Sequence, residues 1–347
     1  MANITPISWC THTVNWQGGC SKISRACRDC YALRDSWRFA HKEDGPDRYK
    51  AGVVGKIQGA AAWTGKIGLD PDWRDRMARI FHDIRRAIKS RRTWTGSMTD
   101  LWHESIPVDA PQLGALAEEI HATFCGQTRV PQVLILLTKR PERLLAWQRR
   151  FFPDGLPAGV EVGTTAEDQR RADERVPVLL QVRAECRFLS CEPLLGPIDL
   201  AGMTTDPPGS GFALTDGFGV VDGMTPPRLH LVIVGGESGH RARPTHPDWF
   251  RQLRDQCSKA GVMFHFKQWG EMTDAEHAPD DFDVSEPNNV EATVWTDGSR
   301  IHHGPWEGAT REGAEWMYRV GKKQAGRLLD DVLHDALPAF PAVGGLR

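Results

Sequence analysis

The chain has 347 residues, 40% hydrophobic and 25% charged, with a formal net charge of -2. Those values suit a folded protein with a sizeable core and exclude a wholly disordered one. They also exclude nucleic-acid binding through bulk positive charge, so such binding has to use a local patch.

The length permits one large α/β barrel or two ordinary domains. Met1–Ser8 has no basic n-region or long apolar run, and no apolar stretch is long enough to span a bilayer. The expectation is a cytoplasmic protein without a membrane partner, in which the eight cysteines serve metal binding or catalysis rather than a disulfide framework. Cys10, Cys125, Cys186, Cys191 and Cys257 are isolated or on apolar stretches and read as small buried hydrophobes or neutral filler.

A first strand is expected near Ile4–Trp9. Next comes Trp16-Gln-Gly-Gly-Cys20-Ser-Lys-Ile-Ser-Arg-Ala-Cys27-Arg-Asp-Cys30-Tyr31-Ala32. Three thiolates in one short loop can hold a metal centre without saturating it. An iron–sulfur cube needs four ligands, and three leave one iron open. Structural zinc wants four protein ligands, usually in two pairs, and no second Cys-x2-Cys pair follows. A Cys3His zinc site completed by His12 or a remote histidine stays open beside the cluster reading.

Further along, Thr93–Ser97, Pro131–Thr138, Gly159–Thr164, Cys186–Cys191, His230–Gly235 and Val262–Lys267 read as strands. The continuous runs Val-Leu-Ile-Leu-Leu and Leu-Val-Ile-Val suit parallel strands covered on both faces. Helical spacing links Met77, Ile80, Phe81, Ile84 and Ile88, and then Leu113, Leu116, Ile120 and Phe124 after Pro111. Pro247 opens a third segment lined by Phe250, Leu253 and Cys257 and ended by Gly261. Repeated strand–helix units predict a parallel sheet: a full or partial (β/α) barrel, with a doubly wound open sheet as the alternative. The domain reading is a barrel over 1–271 with a loop insertion at 202–228, then a C-terminal extension over 272–347. Within that extension 273–313 reads as a surface extension or small cap, and Val320–Leu329 as a short basic helix.

In parallel barrels the loops after the strands carry the chemistry. Here those loops hold Ser97-Met-Thr-Asp100-Leu-Trp-His103-Glu104, Thr138-Lys139-Arg140, Thr164-Thr165-Ala-Glu167, Glu192-Pro193, Gly235-Gly236-Glu237-Ser238-Gly239 and Lys267-Gln268-Trp269-Gly270-Glu271. Singly, each also reads as a helix cap or turn. Asp100, His103 and Glu104 read as a metal site or an acid/base pair, and for His103 a hydrogen-bonded structural network fits equally. The glycine-rich run is neither a Walker loop nor a GxGxxG.

The cysteine loop resembles the radical S-adenosylmethionine (SAM) superfamily, whose three cysteines follow the first barrel strand. A closer resemblance, over nearly the whole chain, is to phage- and prophage-associated three-cysteine proteins. It is carried by Gly19-Cys20 through Cys30-Tyr31-Ala32, Ser97–Glu104, Leu137–Pro141, Ala172–Pro177, Ser190–Gly196, Val232–Gly239, Phe266–Gly270 and Gly321–Leu329. Two departures from the superfamily are plain: the first cysteine gap is six residues rather than three, and Asp29 stands where an aromatic residue precedes the third cysteine, with Tyr31 just after it.

The resemblance implies a radical-SAM-type barrel. Cys20, Cys27 and Cys30 would hold a [4Fe-4S] cluster whose open iron chelates SAM, giving a 5′-deoxyadenosyl radical. It implies Tyr31, Asp100, Glu192, Gly235, Gly236 and Glu237 as cofactor contacts, Lys139, Arg140 and Lys267 as substrate contacts, and a reductant protein such as flavodoxin or ferredoxin. The basic surface of Arg85, Arg86, Lys89, Arg91, Arg92, Arg140, Arg149 and Arg150, with thirteen tryptophans in the chain, suits a nucleic-acid substrate. A phage setting suits modification or repair of a base. The rival expectation is a non-enzymatic phage protein, stabilised by zinc or a cluster, that binds nucleic acid.

Overall fold

A computed structural model of the chain describes residues 3–125, 130–201, 203, 214, 228–298, 301–304 and 313–340. The chain separates into two compact units, one formed by residues 1–164, 181–187 and 339–347 and the other by 165–180 and 188–338. Most of the expected insertion at 202–228 lies outside the described residues.

The first unit begins with β1 (Asn3–Ile4), β2 (His12–Val14) and β3 (Gln17–Gly18). Helices α1 (Tyr31–Ala40) and α2 (Asp47–Lys50) follow, then a ribbon of β4 (Val54–Ile57) and β5 (Ala60–Trp63), and β6 (Gly68–Leu69), which pairs with β3. After these come α3 (Trp73–Arg85), β7 (Arg91–Thr95), α4 (Pro111–Phe124), β8 (Gln132–Thr138), α5 (Pro141–Phe151) and β9 (Val160–Thr165). β2, β7, β8 and β9 pair in parallel, and β1 closes the edge antiparallel to β2. The expected first strand is therefore displaced. Pro6 deprives the Ile4–Trp9 stretch of a backbone donor, and the parallel strand forms at His12–Val14 instead.

The second unit holds α6 (Gln169–Leu180), β10 (Cys186–Cys191, whose first two residues lie in the first unit), β11 (Leu231–Gly235), α7 (Pro247–Ala260) and β12 (Met263–Gln268). β10, β11 and β12 are parallel neighbours. The fold is mixed α/β, with β2, β7, β8 and β9 parallel in the first unit and β10, β11 and β12 parallel in the second, consistent with the partial barrel expected.

Burial follows the apolar runs. Val133, Leu134, Ile135 and Leu136 of β8 are buried on both faces, as are Leu231–Val234 of β11. Met77, Ile80, Phe81 and Ile84 turn one face of α3 inward; Ile88 lies past the end of that helix and is exposed. Gly261 ends α7 in the left-handed conformation, its N–H returned to the carbonyls of Cys257 and Ser258.

The stretch expected to be a cap over 273–313 contributes to an antiparallel sheet of β13 (Met272–Thr273), β14 (Val290–Trp295), β15 (Ile301–His303) and β16 (Ala314–Arg319), in the order β13-β16-β14-β15. The expected basic helix shrinks to one turn, α8 (Lys322–Ala325), followed by a hairpin of β17 (Leu328–Leu329) and β18 (Val332–Leu333). Gly326 breaks the helix at φ 69°. Among the described residues no helix is long and apolar enough to cross a membrane.

Candidate metal centre and the loops around it

The cysteine loop leaves the end of β3 at Gly19. That residue has φ 99°, and a Cβ there would sit 2.2 Å from the Lys66 carbonyl oxygen, so only glycine fits. Gly19 bridges Thr99, whose hydroxyl donates to the Gly19 carbonyl at 2.6 Å. Asn15 is tied to Ser97 and to the Met98 amide, and the Gln17 amide reaches the Thr99 hydroxyl and the Asp100 carbonyl. The motif after β7 is thus the scaffold on which the cysteine loop is laid.

Cys20, Cys27 and Cys30 are all free thiols, partly buried. Cys20 and Cys30 pack against an apolar floor of Ala32, Leu33, Tyr49, Val53, Trp63 and Met98. The three interact electrostatically with one another, and two cations face them. Burial, together with the Asp100 carboxylate, pushes the Cys20 thiol up to about 12, while Arg140 opposes the rise. Burial likewise raises Cys30, against Lys139 and the backbone at Ala32 and Leu33. Burial also works to raise Cys27, but Lys139 and hydrogen bonds from Ile23 and Ser24 carry it below its ordinary value. Cys27 is therefore the first of the three to become a thiolate, the form that binds metal.

Behind Cys20 lies a charged network. Asp100 accepts from the Trp102 amide (3.1 Å), the Thr138 hydroxyl (2.7 Å), the Lys139 amide (3.3 Å) and the Arg140 guanidinium (2.9 Å). Arg140 also donates to Glu104 at 2.6 Å and to the Ser21 hydroxyl at 2.7 Å, and Ser21 donates to Glu104 at 2.5 Å. His103 meets Ser21 through Nε2 and Ser105 through Nδ1, so both ring nitrogens are engaged, and burial lowers its pKa. For His103 the geometry is that of the hydrogen-bonded network, and Asp100 and Glu104 share it. Ser21, the residue beside Cys20, ties the network to the cysteine loop, a role sequence reasoning missed although Ser21 neighbours a candidate ligand.

The donor set can be tested against the groups it was expected to hold. Among the described residues, three His, Cys, Asp or Glu ligand atoms lie within 4.8 Å of one another only at Asp274, Glu276 and His277. The three sulfurs are therefore not all within 4.8 Å of one another. One zinc at about 2.3 Å from each sulfur needs them about 4 Å apart. A cluster, in which each thiolate binds a different iron, asks for wider spacing. His12 bonds to Thr11 and has Arg91 beside it. The three cysteines, two cations and apolar floor fit an anionic cluster.

Tyr31 opens α1 directly after Cys30, and its hydroxyl donates to the Ser97 carbonyl at 2.5 Å. Lys139 faces Cys27 and Cys30, and Arg140 is occupied by Asp100, Glu104 and Ser21.

The remaining expected site residues lie in the second unit. Glu192 and Lys267, expected to touch cofactor and substrate respectively, pair with each other at 2.6 Å. Glu237 is held bidentately by Arg243 at 2.6 and 2.7 Å. A Cβ on Gly236 would lie 1.7 Å from the Trp269 carbonyl oxygen, so this glycine permits a close approach of two chain segments; one on Gly235 would meet Glu192 and Gln268 at 3.4 Å. Lys322 lies near Lys267, Glu192 and Glu271, and burial lowers its pKa. Sequence reasoning placed it only in a basic helix.

Cys10, Cys186, Cys191 and Cys257 are buried, as expected of small hydrophobes; Cys125 is exposed. At Asp274, Glu276 and His277, both His277 ring nitrogens are engaged, by Asp274 and by the Asp330 amide, and Glu276 pairs with Arg251.

A family model described as a protein of unknown function, DUF5131, matches residues 4–338. Comparison with curated proteins and with solved structures finds no match.

Proposed function

The chain belongs to the DUF5131 family, and from that premise we propose that it is a radical-SAM-like iron–sulfur enzyme acting on a nucleic-acid base. The observation that carries the reading is the cysteine loop itself: three free thiols in one loop, two of them on an apolar floor, with Lys139 and Arg140 as the cations acting on them. Cys20, Cys27 and Cys30 would hold a [4Fe-4S] cluster, with SAM on its open corner.

When bound, these groups would supply reductive cleavage of SAM and hydrogen abstraction from the substrate. The protein's part is placement and charge. Arg140 and Asp100 fix the Cys20 end of the loop, α1 fixes Cys30, and Lys139 offsets the negative charge that thiolates bring. Tyr31, anchored on Ser97, presents its ring beside the third cysteine.

Anaerobic reconstitution followed by iron and sulfide analysis tests the reading, with Cys→Ala variants at the three positions. The expected result is four irons per chain, lost on any of the three substitutions, and 5′-deoxyadenosine after addition of SAM and dithionite. Stoichiometric zinc without charge-transfer absorption would reject it and favour the non-enzymatic nucleic-acid-binding protein.

A further inference from the structure

Next to the cysteine loop lies a surface that the mechanism above does not use. Between Lys22 and Arg38 the chain carries five cations, Lys22, Arg25, Arg28, Arg34 and Arg38, against two carboxylates, Asp29 and Asp35. All five cations are exposed, whereas both carboxylates are half-buried. The chain as a whole is slightly acidic, so this is a local concentration of positive charge.

Its arrangement follows from α1. Tyr31, Arg34 and Arg38 succeed one another at three- and four-residue spacing, which puts them on one stripe of the helix. The Arg34 and Arg38 side chains are 70% and 63% exposed, and both lean on the single carboxylate of Asp35, each at 3.6 Å. Arg28 pairs with Asp29 at 2.6 Å yet stays 56% exposed. At the cysteine end of the stripe Tyr31 is 44% exposed, held by its hydroxyl.

We infer that this face, from the rim of the cysteine loop along α1, is where a single-stranded nucleic acid lies, with phosphates on Arg28, Arg34 and Arg38 and a base stacked on Tyr31. The inference rests on the reading of the chain as an enzyme of nucleic-acid bases, and it moves the contact surface from the expected Arg85–Arg92 and Arg149–Arg150 patches to α1. Two features favour a nucleic acid over an acidic protein. Four of the five cations are arginines, whose planar fork matches phosphate. An exposed aromatic ring sits among them, and stacking on such a ring is how single strands are held without base readout. A strand on this stripe would run past Cys30, bringing a base to the edge of the metal centre.

The test is fluorescence anisotropy of labelled single-stranded DNA and RNA with the full chain, between about 50 and about 200 mM salt. R34E/R38E should weaken binding about tenfold or more and lower the slope of log affinity against log salt by about 1.4, two phosphate contacts at about 0.7 each. Tyr31→Ala should cost roughly 5- to 100-fold. R149E/R150E should leave binding unchanged. Absence of binding, or binding lost with R149E/R150E and kept with R34E/R38E, overturns the inference. So does slower cluster reduction by flavodoxin in R34E/R38E without oligonucleotide binding, which would give the face to a reductant protein. Iron content of the same preparations separates the two readings: iron-free protein that still binds through Arg34 and Arg38 sinks the cluster and keeps this surface, whereas iron-loaded protein that does not bind does the reverse.

Discussion

Asp100 and Arg140 offer the sharpest test of how the cysteine loop is held. Their side chains are almost wholly buried, joined at 2.9 Å, and Asp100 accepts three further hydrogen bonds. Asp100→Asn keeps the shape and removes the charge, leaving Arg140 with only the partly exposed Glu104 as a counter-ion. Breaking one side of a buried pair costs about 3–5 kcal/mol. With a urea dependence of about 2 kcal/mol per molar, the midpoint should fall by about 2 M. Arg140→Met should cost a similar amount, and the double variant less than the sum by at least about 1 kcal/mol.

Thiol chemistry then separates the two. Asp100 helps hold the Cys20 thiol up at about 12 and Arg140 opposes it. In the metal-free protein, alkylation of Cys20 should therefore be faster in Asp100→Asn and slower in Arg140→Met, although both variants are less stable. An Asp100→Asn midpoint within about 0.5 kcal/mol of wild type, the level of an ordinary surface change, would refute the reasoning. So would alkylation rates that move together.

Three further outcomes follow from the geometry. Gly19→Ala, which forces a Cβ against the Lys66 carbonyl at a positive φ, should cost about 2–4 kcal/mol and reduce iron uptake, read by denaturation and metal analysis. Burial, with Asp274, Asp248 and Glu276 around it and Arg251 opposing, raises Glu315 to about 7 from its ordinary 4.5. The folded chain keeps a proton that the unfolded chain gives up, so this group's contribution is full below pH 4.5 and is lost as the pH rises through 7. Glu315→Gln should raise the melting temperature at pH 8 and leave it unchanged at pH 4. Asp331 sits at φ 59° in the hairpin turn, and Asp331→Gly should stabilise the chain by up to about 1 kcal/mol, measured by denaturant midpoint.

The parallel strands were readable because they are continuously apolar. Val133–Leu136 can hardly be anything but a strand covered on both faces, and Cys186–Cys191 forms over the expected bounds. β2 was not, because three residues with a histidine among them carry no pattern; its pairing with Thr93–Thr95 defines it. β14 and β16 escaped notice for a related reason. Their partners are antiparallel and the half-buried Glu291, Glu315 and Arg319 interrupt them, so the apolar signal is diluted. The spacing singles out the three cysteines, and in the fold they are free thiols of one loop. The use made of the polar loop residues was not: Glu192 and Lys267 each looked ready for a ligand, and only folding makes them partners.

The Arg140–Ser21 bond joins positions 119 residues apart in the sequence. The sulfur-bearing loop emerges early from the ribosome, but the guanidinium that locks it in place is made much later. A nascent chain cannot present a finished binding cage until β8 and its following turn have been synthesised and packed. On the proposed reading, a metal centre on these cysteines would therefore be loaded into an assembled first unit rather than onto a growing polypeptide.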